Sequence, residues 1–114
     1  MIAVIFEVTP HPEHKSAYLD IAAQLKSELE QVDGFISVER FQSLTNENKV
    51  LSLSFFENEE AVKAWRNLPS HRAAQKAGRN KLFANYRLRI ACVIRDYGKN
   101  VREEAPNDSR EVLR

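Results

Sequence analysis

The hydrophobic and polar positions follow two different periods along the chain, and each change of period marks a new element. Residues 2–8 alternate every second residue, as a strand does, and the prolines Pro10 and Pro12 end this pattern. Residues 12–32 then place apolar side chains at helical spacing, and Gly34 follows as a stop signal. The amino-terminal third therefore predicts a strand followed by a long helix.

The rest of the chain predicts two strands, a broken helix and a final strand. Residues 35–43 and 50–56 predict a hairpin, and Asn58 is well placed to cap a second helix. A Leu-Pro step at Pro69 breaks or bends that helix, and the final strand is predicted over residues 86–97. The order β-α-β-β-α-β predicts an α+β, ferredoxin-like fold with an antiparallel sheet.

Two helices can cover only one face of a four-stranded sheet, yet apolar residues are predicted on both faces. The second face is expected to carry Ile5 or its neighbours, Val50, Ala91 and Val93. An uncovered apolar face of this size indicates an interface. We therefore expect a homodimer joined sheet to sheet, which closes a dimeric α+β barrel.

The composition fits one soluble domain, since 43% of the 114 residues are hydrophobic and 29% are charged. No apolar run approaches the ~20 residues that span a bilayer. The single cysteine, Cys92, excludes an internal disulfide and a cysteine-based zinc site, so we expect a cytoplasmic protein. Residues 1–98 are predicted to form the domain, and the polar residues 99–114 a mobile tail.

The net charge of +1 conceals a strong segregation of charge. Residues 63–95 contain nine Lys or Arg and no acidic residue, whereas residues 1–62 contain four basic and eleven acidic residues. The basic block either folds against acidic residues of its own chain or a partner, or meets an anionic ligand. The central strands lack the aromatic motif of RNA-binding sheets, so no nucleic-acid partner is expected.

Two residues in the segment AWRNLPSHRAAQKAGR are candidates for chemistry. Trp65 is either a core anchor or the wall of a pocket that stacks a flat aromatic ligand. His71 is either an exposed helix-start residue or a neutral base that accepts a proton from a phenol. His11 and His14 lack a third ligand nearby in sequence, so no metal site is predicted.

The segments GFISVERFQS, LSLSFFENEEAVKAWRN, PSHRAAQKAGR and RLRIACVIRDYG together resemble the antibiotic biosynthesis monooxygenase family, over about residues 1–97. The resemblance implies a dimeric α+β barrel. Its cofactor-independent members oxidise phenols or quinols with O₂, and the substrate anion supplies the electrons. These members carry an Asn, a Trp four residues later and a Tyr six residues after the Trp. This chain has Ala61, Trp65 and His71 at those positions.

Haem-degrading members of the family imply a different set of residues. They use an Asn on the first strand, the same Trp, and a His ten residues after it as the iron ligand. This chain has Phe6 near the first position and Gln75 at the last. Haem degradation is therefore disfavoured, because a haem iron needs its axial ligand.

The sequence and the resemblance together predict a cofactor-independent monooxygenase that oxidises a small aromatic phenol or quinol in a pocket lined by Trp65. His71 is assigned as the base, and Arg72 or Arg89 as the group that stabilises the anion. The predicted substrate-binding residues are Trp65, Arg72, Arg89, Phe6 and Phe55. No cofactor and no metal is expected. The alternatives are a non-catalytic dimer that binds a small molecule and, third, a haem-binding or haem-degrading protein.

Overall fold

The computed structural model describes residues 1–112, and its elements follow the predicted β-α-β-β-α-β order with the second helix divided in two. The elements are β1 (Ile2–Pro10), α1 (Lys15–Leu29), β2 (Phe35–Gln42), β3 (Val50–Phe56), α2 (Glu59–Arg66), α3 (Pro69–Ala77), β4 (Phe83–Cys92) and α4 (Asn107–Val112). A 3-10 turn, Pro12–His14, precedes α1, and a π-helical turn, Gly78–Leu82, leads into β4. The ferredoxin-like α+β fold is confirmed.

The sheet has the strand order β2-β3-β1-β4, and every neighbouring pair is antiparallel. The central strand β1 pairs Phe6 with Ser52 of β3 on one side and with Leu88 of β4 on the other. Val4 pairs in the same way with Ser54 and with a residue of β4. Residues that face each other in a ladder share one side of the sheet, so these side chains form a continuous row.

The hydrophobic core lies on the face of the sheet that the helices cover. One cluster joins Val4, Leu29, Phe56 and Val62, with Trp65 packed against it. A second cluster joins Val8, Tyr18 and Val50, with Phe6 and Phe83 packed against it. Val50 is only 4% exposed, so the prediction that it lies on the uncovered face is wrong.

Local sequence signals fix the starts of α2 and α3 and the entry into β2. The Asn58 side chain accepts a hydrogen bond of 2.9 Å from the Ala61 amide, as an N-cap does. Pro69 begins α3, where its missing N–H costs nothing. Gly34 has a φ of 87°, and a Cβ there would lie 2.9 Å from the Ala61 Cβ. A glycine is therefore required where the chain passes α2 to enter β2.

The last strand lies at Phe83–Cys92, so its predicted position at 86–97 is wrong at both ends. Its partner β1 sets the limits, because Pro10 pairs with Phe83 and Ile2 pairs with Cys92. The Val93 amide makes one further bond, of 3.0 Å, to the Met1 carbonyl. Ile94, two residues after the end of β4, is 82% exposed.

The uncovered face of the sheet carries partly exposed apolar residues, including Ile5, Leu53 and Phe55. Glu7 lies on the same face and forms ion pairs of 3.1 Å with both Lys49 and Arg89. Lys49 and, to a smaller extent, Arg89 attract the Glu7 carboxylate and hold its pKa below its usual value. This face remains unpaired in the single chain.

The segment after β4 contains the short helix α4 and a buried Ala105. Arg102 lies over the Tyr97 ring at 5.4 Å and donates a hydrogen bond to the Gly98 carbonyl. The predicted mobility of residues 99–114 stays a prediction, and its last two positions lie outside the described residues. Within residues 1–112, no helix is both long enough and apolar enough to cross a membrane.

Candidate active-site cavity

A cavity of about 480 Å³ lies between the sheet and the helices α2 and α3. The strands β1, β3 and β4 supply one side, which is mainly apolar, and the two helices with the following turn supply the other. The strand residues in the lining are Val4, Phe6, Ser52, Ser54, Phe83, Tyr86, Leu88 and Ile90. An apolar cavity with a few polar groups is the usual form of a small-molecule site.

The break between α2 and α3 brings Trp65 and His71 together in the cavity wall. Their ring centroids are 3.8 Å apart and their planes are inclined by 35°. The Phe56 ring supports Trp65 from the core at 5.7 Å. His71 Nδ1 lies 3.4 Å from the Trp65 carbonyl oxygen. Because a carbonyl can only accept, this contact favours the tautomer with hydrogen on Nδ1, which leaves Nε2 as an acceptor.

The surroundings of His71 favour a neutral ring. Burial, followed by the charge of Arg72, lowers the pKa of His71 from 6.5 to about 4, and Glu28 opposes this shift. The imidazole is therefore expected to be neutral at pH 7. Desolvation in the cavity wall is the main cause of the lowered pKa.

The charged residues in the lining are cations. These are Arg66, Arg72, Lys76 and Arg79, and within residues 1–112 no acidic side chain lines the cavity. Arg72 donates hydrogen bonds of 2.8 Å to Asn67 and 2.9 Å to Gln75, both to amide oxygens. Neutral amides orient the guanidinium without cancelling its charge, so the cavity mouth attracts anions.

The structure brings together four of the six predicted site residues, Phe6, Trp65, His71 and Arg72. Arg89 and Phe55 lie on the opposite face of the sheet, so their prediction as part of this cavity is wrong. Successive side chains of a strand point to opposite faces. Phe55 alternates with the lining residue Ser54, and Arg89 alternates with lining residues of β4 and binds Glu7 instead.

Several lining residues escaped the sequence analysis. Ser52 and Ser54 lie on the covered face of β3, where large apolar side chains are usual, and Ser54 is only 3% exposed. Small residues in a strand that is otherwise rich in Leu and Phe are a signal of empty space. Tyr86 and Asn80 gave no such signal, since their position depends on how β4 and the preceding turn pack.

Within residues 1–112, no group of three or more His, Cys, Asp or Glu side chains could hold a metal ion. Gln75, the position where the haem-degrading pattern has a His, lies in the cavity lining and offers only a neutral amide. The single imidazole of the lining, His71, is stacked on Trp65. This donor set does not fit a haem iron, which is held by an imidazole, thiolate, thioether or phenolate ligand.

The superposition on solved structures of the same fold extends over nearly the whole length of those proteins. A protein from Deinococcus radiodurans superimposes with a TM-score of 0.77 at 14% identity, over 86% of this chain and 97% of its own. The protein Rv0793 from Mycobacterium tuberculosis gives a TM-score of 0.76 at 16% identity, over 85% and 98%. At these identities the likeness concerns the fold alone.

Sequence comparison identifies the family. The chain is 39% identical over 112 residues to "Jasmonate monooxygenase ABM" of Pyricularia oryzae, covering 97% of this chain and 52% of that protein. The chain thus spans about half the length of that relative. It is 28% identical over 93 residues to the uncharacterized protein YqjZ of Bacillus subtilis, covering 82% and 79%. The profile of antibiotic biosynthesis monooxygenases matches residues 1–77, and the chain belongs to that family.

Proposed function

We propose that the protein is a monooxygenase that oxidises a small aromatic phenol or quinol with O₂, without a bound metal or organic cofactor. Membership of the family and the monooxygenase at 39% identity support the reaction class. One observation of the site supports the mechanism most directly. A neutral His71 is stacked on Trp65 in a cavity whose charged lining residues are all cationic within residues 1–112.

In this mechanism the substrate ring lies against the aromatic wall, and Nε2 of His71 accepts the hydroxyl proton. A histidine with a pKa of about 4 is a weak base, so the reaction depends on cations that stabilise the resulting oxyanion. Arg66 and Arg72 both line the cavity, which supports this role for them. The anion then supplies all four electrons to O₂. One oxygen atom becomes a new ring carbonyl, and the other leaves as water, which takes the hydrogen of that ring carbon and the hydroxyl proton held by His71.

The test is O₂ uptake with a panel of hydroquinones, naphthols and anthrones, together with incorporation of ¹⁸O from ¹⁸O₂ into the product. His71→Ala is expected to lower kcat by about a hundredfold or more, since general-base catalysis contributes on this scale. Trp65→Phe is expected to raise KM about two- to tenfold through lost ring contact. His14→Ala removes a histidine outside the cavity and serves as the control. Unchanged kinetics in both cavity variants would refute the assignment.

The name of the 39% identical relative gives a second candidate substrate. Jasmonate is a cyclopentanone that bears a carboxylate, and the cationic mouth of the cavity is compatible with such an acid. Jasmonic acid is therefore the first non-aromatic compound to include in the panel. Product formation from it, with no turnover of phenols or quinols, would move the substrate class from aromatic to alicyclic.

We also propose that the protein is a homodimer joined through the uncovered sheet face, and we retain the cytoplasmic location predicted from the sequence. The partly exposed Ile5, Leu53 and Phe55 support the interface. Sedimentation at micromolar concentration should give twice the mass of the chain. Leu53→Lys should give monomers, whereas Leu44→Lys, at a fully exposed leucine, should not. A monomeric wild type would contradict the proposal.

The two alternatives to an enzyme make different predictions. A non-catalytic, ligand-binding dimer would retain an aromatic compound in the cavity and turn it over with none of the panel. A haem protein would shift the Soret band when haem is added. The amide of Gln75 in the lining argues against the second alternative, and its test is a haem titration of the purified protein.

A further inference from the structure

Behind Trp65 and His71 lies a second, smaller recess of about 100 Å³, between α1, α3 and the sheet. We refer to it as the inner recess. The two spaces adjoin, because several residues line both of them. The shared residues are Phe6, Ser52, Trp65, His71, Gln75 and Phe83. A ligand that reaches from the larger cavity into the inner recess would pass these shared side chains, the Trp65 and His71 rings among them.

Arg40 gives the inner recess an unusual electrostatic character. It lies on β2, is partly buried and lines the recess. Its Nε atom is buried, and within residues 1–112 it has no hydrogen-bond partner. Both ion pairs found within residues 1–112 involve Glu7, which lies on the other face of the sheet. No carboxylate among residues 1–112 lines the recess, so the charge of Arg40 has no protein counter-ion there.

The neighbours of Arg40 add to this imbalance. The recess is otherwise mostly apolar, with Leu25, Phe6 and Phe83 among its walls. Tyr18 is only 7% exposed and also lines it. Burial raises the pKa of the Tyr18 phenol, and the nearby Arg40 guanidinium opposes the rise. Tyr18 therefore keeps its hydroxyl proton and can donate it in a hydrogen bond.

A guanidinium in such a place is costly unless something completes it. Desolvation of a charge is offset only by a partner of opposite sign or by several hydrogen bonds. An apolar residue of similar volume would fill the position at less cost. The unpaired Nε and the place of Arg40 in the lining of the recess are explained if an anion occupies the recess when a ligand is bound.

We propose that the inner recess binds the carboxylate of the substrate, with Arg40 as its counter-ion and the Tyr18 and Ser52 hydroxyls as further donors. This inference rests on the proposed function for the statement that the ligand is a substrate. Water occupies roughly 30 Å³ in the liquid, so the recess has room for a head group of a few heavy atoms and not for a ring system. The ring lies in the larger cavity, beside Trp65.

Two sets of cations then act on an anionic ligand in different ways. Arg72, Lys76 and Arg79 at the cavity mouth are exposed, so water and salt screen their attraction for an anion. They raise the local concentration of acids without selecting one of them. Arg40 acts in a less polar place, where a charge-assisted hydrogen bond is stronger. Selection for a carboxylic acid against its neutral analogues therefore depends on Arg40.

The test is isothermal titration calorimetry with two pairs of neutral and anionic probes. The pairs are jasmonic acid with methyl jasmonate, and 1-naphthaleneacetic acid with its methyl ester. The wild type is expected to bind at least one acid about tenfold or more tightly than its ester, the scale of a charged hydrogen bond. Arg40→Gln should abolish the preference and leave ester binding within about threefold. Arg40→Lys should restore part of it. Lys81→Gln removes an exposed cation outside both cavities and should retain the preference.

Arg40→Met, which fills the space with an apolar chain, guards against a folding defect in the glutamine variant. Thermal melting shows which of the Arg40 variants are folded, and the calorimetry is carried out with those. The inference is overturned if the acid preference survives in the folded Arg40 variants, if ester and acid bind equally to the wild type, or if no acid binds at millimolar concentration. Acid binding that depends on Arg40 without O₂ uptake would uphold the inference and refute the proposed reaction. Oxidation of the acid and its ester at equal rates would refute the inference and uphold the proposed reaction.

Discussion

The protonation of His71 connects the cavity to the stability of the whole chain, and the connection can be measured. The pKa of this ring falls from 6.5 to about 4 on folding, mainly through burial. Between these two values the unfolded chain binds a proton that the folded chain does not. The part of the stability that depends on a neutral His71 is therefore fully present above pH 6.5. This part is lost as the pH falls towards 4, and His71 causes no further change below that pH.

The expected size follows from the two pKa values. Between pH 7 and pH 5, a shift from 6.5 to about 4 would lower the free energy of unfolding by at most about 2 kcal/mol. The ring is partly exposed to solvent, which screens the effect, so about 1 kcal/mol is the working value. His71→Asn removes the titrating group and leaves a polar side chain of similar reach.

The assay is urea denaturation of wild type and His71→Asn at pH 7 and pH 5. Carboxylates also titrate in this window, so the informative quantity is the difference between the two proteins in their loss of stability. His14→Asn is the matched control for removal of a histidine outside the cavity. The wild type should lose about 1 kcal/mol more than His71→Asn. Equal losses, or a larger loss in the variant, would show that His71 is not held neutral by burial.

Three further predictions concern the elements that frame the cavity. Asn58→Ala should lower the free energy of unfolding by about 1 kcal/mol through loss of the helix cap, whereas Asn58→Asp should retain most of it in the same urea assay. Gly34→Ala should lower the melting temperature, because its φ of 87° and the nearby Ala61 Cβ both oppose a side chain; Gly98→Ala, with no atom within 4 Å, should not. Phe56→Ala should cost about 3–5 kcal/mol at a position with 0% exposure, and a loss below 1 kcal/mol would contradict the described core.

The acid-free block of residues 63–95 now has a structural explanation. Four of its nine cations line the cavity. Within residues 1–112, Arg89 is the member of the block that forms an ion pair, and it does so on the other face of the sheet. The acidic residues of the same chain therefore do not neutralise the block by direct pairing. Of the explanations given above for the charge segregation, two are left: the acidic residues of a partner and an anionic ligand.

The sequence by itself determined the features that depend on near neighbours along the chain. The alternation of β3 predicted Val50–Phe56 to the residue, and Asn58 and Pro69 marked the starts of α2 and α3. For Trp65, the segment around it and the family resemblance left two possibilities, a core anchor or the wall of a pocket. Periodicity, capping and proline geometry act within a few residues, so a linear pattern contains them.

Only the tertiary structure decided which face of each strand lies against the helices. A period of two fixes which residues share a face but not which face is covered, and both faces of this sheet are apolar. Val50, Phe55 and Arg89 were misassigned for this reason. The end of β4 was set by the length of β1, and the recess beside Arg40 forms only where α1 and α3 meet the sheet. Such features join residues that are distant in sequence, and no local pattern records them.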